Sequence, residues 1–183
     1  MKRLLFVTGR PGIGKTTVLL KVAEGLKAKG YRAGGMISKE VRHEGKRVGF
    51  EILDFETGVK GWLAHVEQRA GPQVGKYKVN LNDLDSIGAN AVLEASKNAD
   101  VVVIDEIGPM ELFSQAFRKA VGEALNSGKL VLAVIHHSAR DPIIESIRKR
   151  NDLFMATVDL ENRNDLHNTL IQNALQYLQQ GKR

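Results

Sequence analysis

Gly9-Arg10-Pro11-Gly12-Ile13-Gly14-Lys15-Thr16 matches the phosphate-loop pattern G-x-x-x-x-G-K-[ST] at every fixed position. No other stretch restricts the possible folds as much. Leu4-Leu5-Phe6-Val7 before it is a short apolar run, the form of a strand buried on both faces. Behind it, Val18, Leu19, Val22, Ala23 and Leu26 recur at helical spacing until Gly30. Glycines let successive backbone N–H groups converge on phosphate oxygens, and the helix N-terminus adds its positive dipole end. Lys15 brings a full charge to the β- and γ-phosphates, and the Thr16 hydroxyl can ligate Mg²⁺.

Such a loop needs an acidic partner near the metal, expected at the end of a neighbouring strand. Val101-Val102-Val103-Ile104-Asp105-Glu106 supplies it, four apolar residues running into two carboxylates. Adjacent acids beside a buried strand are costly unless they face a cation or water. Asp105 is placed to hold Mg²⁺, directly or through water, and Glu106 to polarise a water for attack on the γ-phosphate. A carboxylate directly after the metal-binding one favours hydrolysis over transfer to a second substrate.

The remaining pattern is α/β. Ala33 to Val41 and Lys46 to Leu53 read as a hairpin around His43-Glu44-Gly45, with a third strand at Gly58 to Ala64. This is an antiparallel insertion over about residues 33–65. Tyr77-Lys78-Val79 is extended, and helices are expected at about 83–97 and at 113–125, the latter with Phe113, Phe117, Val121 and Leu125 on its apolar face. Leu130–Ile135 and Phe154–Val158 are strands. Asp141-Pro142 opens a helix ending in Arg148-Lys149-Arg150, and a last helix carries Leu166, Leu170, Ala174 and Tyr177. Alternation of this kind predicts a mostly parallel sheet with helices on both faces, built as one domain over residues 1–183.

Charge narrows the partners. Residues 1–50 hold 12 Lys and Arg against 3 Asp and Glu, whereas the remainder holds 15 against 18. The basicity therefore belongs to the part that contains the phosphate loop. Zero cysteine removes disulfides and thiolate chemistry and suits a reducing cytoplasm. No apolar run is long enough for a membrane span, so a cytoplasmic monomer without membrane contact is expected.

Several polar residues keep two readings. Arg140 either neutralises charge on the transferring phosphoryl group or is a solvated loop arginine. Arg10 either folds over the triphosphate or points to water. Asn162 and Arg163 either flank the base or serve the start of the last helix. His136 and His137 are better read as strand-end polar residues, and Trp62 as packing. Lys39, Arg42, Lys46 and Arg47 form either a partner-binding surface or a solvated arm.

Together these residues resemble a known family, the small P-loop nucleoside-triphosphatases of thermophilic prokaryotes, with vertebrate members called cancer-related nucleoside-triphosphatase. The resemblance covers Gly9 to Thr17, the Gly34-to-Phe50 hairpin with Glu40-Val41-Arg42, Asp105-Glu106-Ile107-Gly108-Pro109-Met110-Glu111-Leu112-Phe113, Arg140-Asp141-Pro142 and Asn162-Arg163-Asn164-Asp165. It implies a RecA-like P-loop domain and Mg²⁺-dependent, slow hydrolysis of nucleoside 5′-triphosphates to diphosphate and phosphate, with broad tolerance of the base. Lys15, Thr16, Asp105 and Glu106 take the catalytic and metal roles, and Gly9 to Thr17 the phosphates. Asn164 interrupts the expected Asn-Arg-Asp, and Lys39 stands where a Glu or Thr is expected. Two rivals remain: a nucleoside, nucleotide or polynucleotide kinase, and a nucleotide-gated nucleic-acid-binding module acting through the basic hairpin.

Overall fold

Both faces of the central strands are apolar, so successive residues enter two different cores. Leu4 and Phe6 of β1 (Leu4–Thr8) point one way, and Leu5 and Val7 the other. The computed structural model describes residues 1–180. On one face, α1 (Lys15–Lys27) and α6 (Leu166–Gln180) cover Leu5 and Val7 with Val18, Leu19, Val22, Leu170 and Ala174. On the other, α3 (Asn90–Asn98), α4 (Gln115–Asn126) and α5 (Pro142–Arg148) supply Val92, Phe117, Val121, Ile144 and Ile147. Each such fully buried side chain is worth about 1.5–3 kcal/mol of transfer free energy, which makes the two-faced strands the anchor of the fold.

Among the described residues the sheet has nine strands. They are β1, β2 (Ala33–His43), β3 (Lys46–Asp54), β4 (Lys60–His65), β5 (Gln73–Val74), β6 (Tyr77–Val79), β7 (Val101–Ile107), β8 (Leu130–Ile135) and β9 (Leu153–Thr157). Their order is β5-β6-β4-β3-β2-β7-β8-β1-β9. Strands β2, β7, β8, β1 and β9 pair in parallel, and β3, β4, β6 and β5 extend the sheet antiparallel.

Two expectations change here. The strand carrying Asp105 is not beside the phosphate-loop strand; β8 lies between them and pairs with both. The antiparallel part also reaches Val79 rather than stopping near residue 65, because β6 pairs with β4. β2 belongs to both halves: Ala33 to Met36 run parallel to β7, and Met36 to His43 form the hairpin arm with β3.

Helix boundaries shift for local reasons. The helix expected from about 83 starts at α2 (Leu81–Asp83), where the Asn80 side chain accepts from the Asp83 N–H, and continues through a π-helical stretch, Leu84–Ala89, into α3. Phe113 does not open the apolar face of α4. It ends a short 3₁₀ turn, Glu111–Phe113, and is 46% exposed, because Ser114 caps α4 by accepting from the Phe117 N–H.

Candidate phosphate and metal site

The sheet order brings the C-terminal ends of β1, β8, β7 and β2 to one edge, the place where open α/β sheets bind ligands. The phosphate loop leaves β1 there and turns into α1 at Gly14. This residue is the helix N-cap with φ 110° and ψ 20°, a backbone geometry that a side chain would strain. Lys15 Nζ donates to the Gly9 and Arg10 carbonyls at 3.0 and 3.1 Å, which holds the ammonium over the loop.

A bulge aims the two acids at this loop. Ile104 pairs with Ala133 and Ile107 with Ile135, so β7 spends one residue more than β8 between the two pairs. Such an extra residue bends a strand and re-aims its side chains. Asp105 and Glu106 lie within it, joined by a cis peptide bond. Asp105 is 1% exposed, and its Oδ2 is a buried oxygen without a hydrogen-bond partner. Burial pushes its pKa up from 3.8 to about 7, and the neighbouring Glu106 charge adds to the rise; the Thr16 hydroxyl, the Ser38 backbone N–H and Lys15 pull the other way.

Glu106 is raised by burial as well, opposed by the charges of Lys15 and His136. A third carboxyl, Glu111, is buried and pushed to about 8, first by desolvation and then by Glu106. Gly108 marks where they meet: a β-carbon built there would lie 2.9 Å from Glu106 Oε1 and 3.2 Å from Glu111 Oε2. His136, at the end of β8, accepts from the Ser138 and Ala139 N–H groups through Nδ1 at 3.3 and 3.1 Å. Its ring proton is thereby assigned to Nε2.

The donor set suits a hard cation completed by a ligand. Among the described residues no three His, Asp or Glu side chains gather as a metal cage. One partnerless carboxylate oxygen beside a threonine hydroxyl is what Mg²⁺ uses when phosphate oxygens and water supply the remaining positions. The residues present therefore fit Mg²⁺.

Lys15, Thr16, Asp105 and Glu106 all line one cavity of about 540 Å³, together with Gly9, Pro11, Gly12 and Gly14. Six other site residues expected from the sequence stand outside its lining. Arg10 and Arg140 are exposed and are not among the lining residues. Asn162 is engaged in its own turn, its Oδ1 accepting from the Asp159 N–H and its Nδ2 donating to the Thr157 carbonyl. Arg163 is exposed beyond β9, on the opposite flank of β1 from the acids. Thr17 is exposed on the first turn of α1 and Ile13 is half-buried in the loop.

Glu111, Ser38 and Phe50, which also line the cavity, had no separate role in the sequence, and Arg47, expected on a basic arm, joins them there. Only the Gly-Pro-Met-Glu-Leu run flagged the first. The basic arm proves partly self-neutralised: Glu40 accepts from Arg42 Nε at 2.5 Å and from Arg47 Nη1 at 2.9 Å.

Comparison with known proteins agrees with this geometry. The family model described as NTPase matches residues 4–171. A nucleoside-triphosphatase THEP1 from Methanosarcina acetivorans is 54% identical over 161 residues, 87% of this chain and 90% of that protein. The crystal structure of THEP1 from the hyperthermophile Aquifex aeolicus superposes with a TM-score of 0.81 at 31% identity, covering 93% of this chain and 98% of the other. The solution structure of a human cancer-related nucleoside triphosphatase gives 0.78 at 37% identity, covering 93% and 96%.

Proposed function

We propose, from the premise that this chain belongs to the NTPase family and is a nucleoside-triphosphatase, that it cleaves nucleoside 5′-triphosphates to diphosphate and phosphate with Mg²⁺, with broad tolerance of the base and slow turnover. The observation that carries the reading is the convergence of Lys15, Thr16, Asp105 and Glu106 on the cavity mouth at the phosphate loop.

Loop N–H groups and Lys15 bind the β- and γ-phosphates and take up negative charge as it moves towards the leaving diphosphate. Thr16 and Asp105 would hold Mg²⁺, which neutralises phosphate oxygens and orients the chain of phosphates. Glu106 accepts a proton from the attacking water, and the Lys15 ammonium works against the burial that raises its pKa. His136 Nε2–H is a donor at the same wall. Base tolerance is supported by how the substrate is held: backbone contacts to phosphate carry no information about the base. Arg140 and Arg10, exposed and outside the cavity lining, are given no part in this step.

A phosphate-release assay on ATP, GTP, CTP and UTP, with Mg²⁺ and with chelator, tests this. Comparable release from all four, abolished by chelator, is expected. Lys15→Ala is expected to lose about 10- to 100-fold in nucleotide affinity, the worth of one charge-assisted hydrogen bond. Release confined to one base, or unaffected by chelator, contradicts the reading.

A further inference from the structure

The cavity does not end at the phosphate loop and the two acids; it extends past them in one direction. From the phosphate loop on β1 to the acids on β7 is two strand steps, about 10 Å at the usual strand spacing. The same cavity continues over β2, β3 and β4 to β5, three further steps to β4 alone, about 14 Å more.

The chemistry of the far part differs from that of the near part. Phe50, Leu63, Val74 and Met110 line it, and Phe50, Val74 and Met110 are only partly buried, their free faces turned to the cavity. The one guanidinium there, Arg47, is already committed. Its Nε donates to Tyr77 Oη at 2.8 Å and its Nη1 to Glu40 at 2.9 Å, and its carbon sits 5.3 Å from the Phe50 ring centroid. Glu40 is in turn shared with Arg42. Arg47 is thus engaged on three sides, and aromatic and aliphatic side chains make up most of the surface at this end. Its lining suits a neutral body with an apolar face.

Between the two parts stands Glu106. We infer that the far part is an acceptor compartment for a neutral, hydroxyl-bearing small molecule with an apolar face, whose hydroxyl competes with water for the γ-phosphoryl group. The inference rests on the hydrolytic reading, since it uses the same base. The hydroxyl oxygen forms a new bond to the γ-phosphorus, and the bond from that phosphorus to the β–γ bridging oxygen breaks. Its electron pair leaves with the nucleoside diphosphate. The hydroxyl proton passes to the Glu106 carboxylate, and the product is a phosphate monoester.

The test is ³¹P NMR of the 183-residue chain turning over ATP with Mg²⁺ in the presence of 2-phenylethanol or, at equal concentration, glycerol. Phosphate and phosphate ester are read in the same spectrum. A phenylethyl phosphate signal with an ester-to-phosphate ratio at least tenfold above that for glycerol is expected. Val74→Trp, which fills the compartment from a two-residue edge strand, is expected to lower that ratio at least fivefold. Val74→Ala, which widens it, shifts preference towards a bulkier aromatic alcohol and guards against a folding defect in the first variant. Phosphate alone with both alcohols overturns the inference and leaves hydrolysis standing. Equal ester from both alcohols, insensitive to Val74, also overturns it, because the nucleophile then comes from bulk solvent. Neither product overturns the hydrolytic reading and this inference with it.

Discussion

Asp105→Asn is expected to stabilise the nucleotide-free protein at pH 8 and to do almost nothing at pH 5. Burial holds this carboxyl at a pKa of about 7 in the fold, against 3.8 for the unperturbed side chain. Between those limits the folded state binds a proton that the unfolded chain has lost, so stability falls as pH rises from about 4 through about 7. A raised pKa of this size corresponds to at most about 4 kcal/mol. Asparagine removes the charge, and with it the repulsion from Glu106.

The substitution has its own cost. Oδ2 has no hydrogen-bond partner, so an amide nitrogen placed there is an unsatisfied donor worth about 1–3 kcal/mol. The balance at pH 8 is a gain of about 1–3 kcal/mol, or about 2–10 °C in Tm for a chain of this length. At pH 5 the wild-type carboxyl is already neutral and the difference shrinks to within about 1 kcal/mol. Calorimetry of both proteins in chelator at the two pH values reads this directly. Adding Mg²⁺ with a non-hydrolysable triphosphate at 100 times Kd is expected to stabilise the wild type by about 2.7 kcal/mol, and the variant by less. Equal shifts at both pH values, or destabilisation at pH 8, refute the argument that Asp105 is a buried carboxylate with one unpaired oxygen awaiting a cation.

Arg118→Met removes a bidentate pair with Asp141, the N-cap of α5, and an Nε bond to the Leu112 carbonyl. With side chains 29% and 16% exposed, the loss is about 1–3 kcal/mol in thermal unfolding at pH 7. Arg118 lowers the Asp141 pKa, so this stabilisation is present above about pH 4 and fades as pH falls further; an unfolding difference that persists undiminished at pH 2–3 argues against the ion pair. Gly108→Ala places a methyl 2.9 Å from Glu106 Oε1, and the flexible carboxylate yields rather than the fold. A shift of about 1 Å at a reacting group costs up to about 100-fold, so kcat falls while nucleotide affinity and Tm hold; unchanged kcat argues against Glu106 as the base.

What the sequence reveals about this protein follows how far apart the cooperating residues are. Gly9 to Thr16 form their cradle within one turn of chain, so spacing alone identifies it. Asp105 and Glu106 announce themselves because four apolar residues lead into them. Their distance from the loop is another matter: it depends on β8 entering the sheet between β7 and β1, a pairing across 25 or more residues that no local pattern encodes. The far compartment is less legible still, since Phe50, Leu63, Val74 and Met110 come from four separate elements. Asn162 shows the opposite failure. A polar residue at a strand end advertises a ligand, yet here its amide closes its own turn. Phe113 fits the helical period, but Ser114 caps a helix that starts at Gln115 and leaves the ring outside.

The most direct test of the account separates binding from chemistry at Glu106. Glu106→Gln keeps the size of the side chain and removes its capacity to take a proton. Equilibrium titration with a fluorescent triphosphate is expected to give a Kd near that of the wild type, since the phosphates are held by the loop and Lys15. Single-turnover phosphate release in the same samples is expected to fall by about 10²–10⁴-fold. Release at the wild-type rate, or a loss of binding that accounts for the whole defect, contradicts the assignment of Glu106 as the base that activates water.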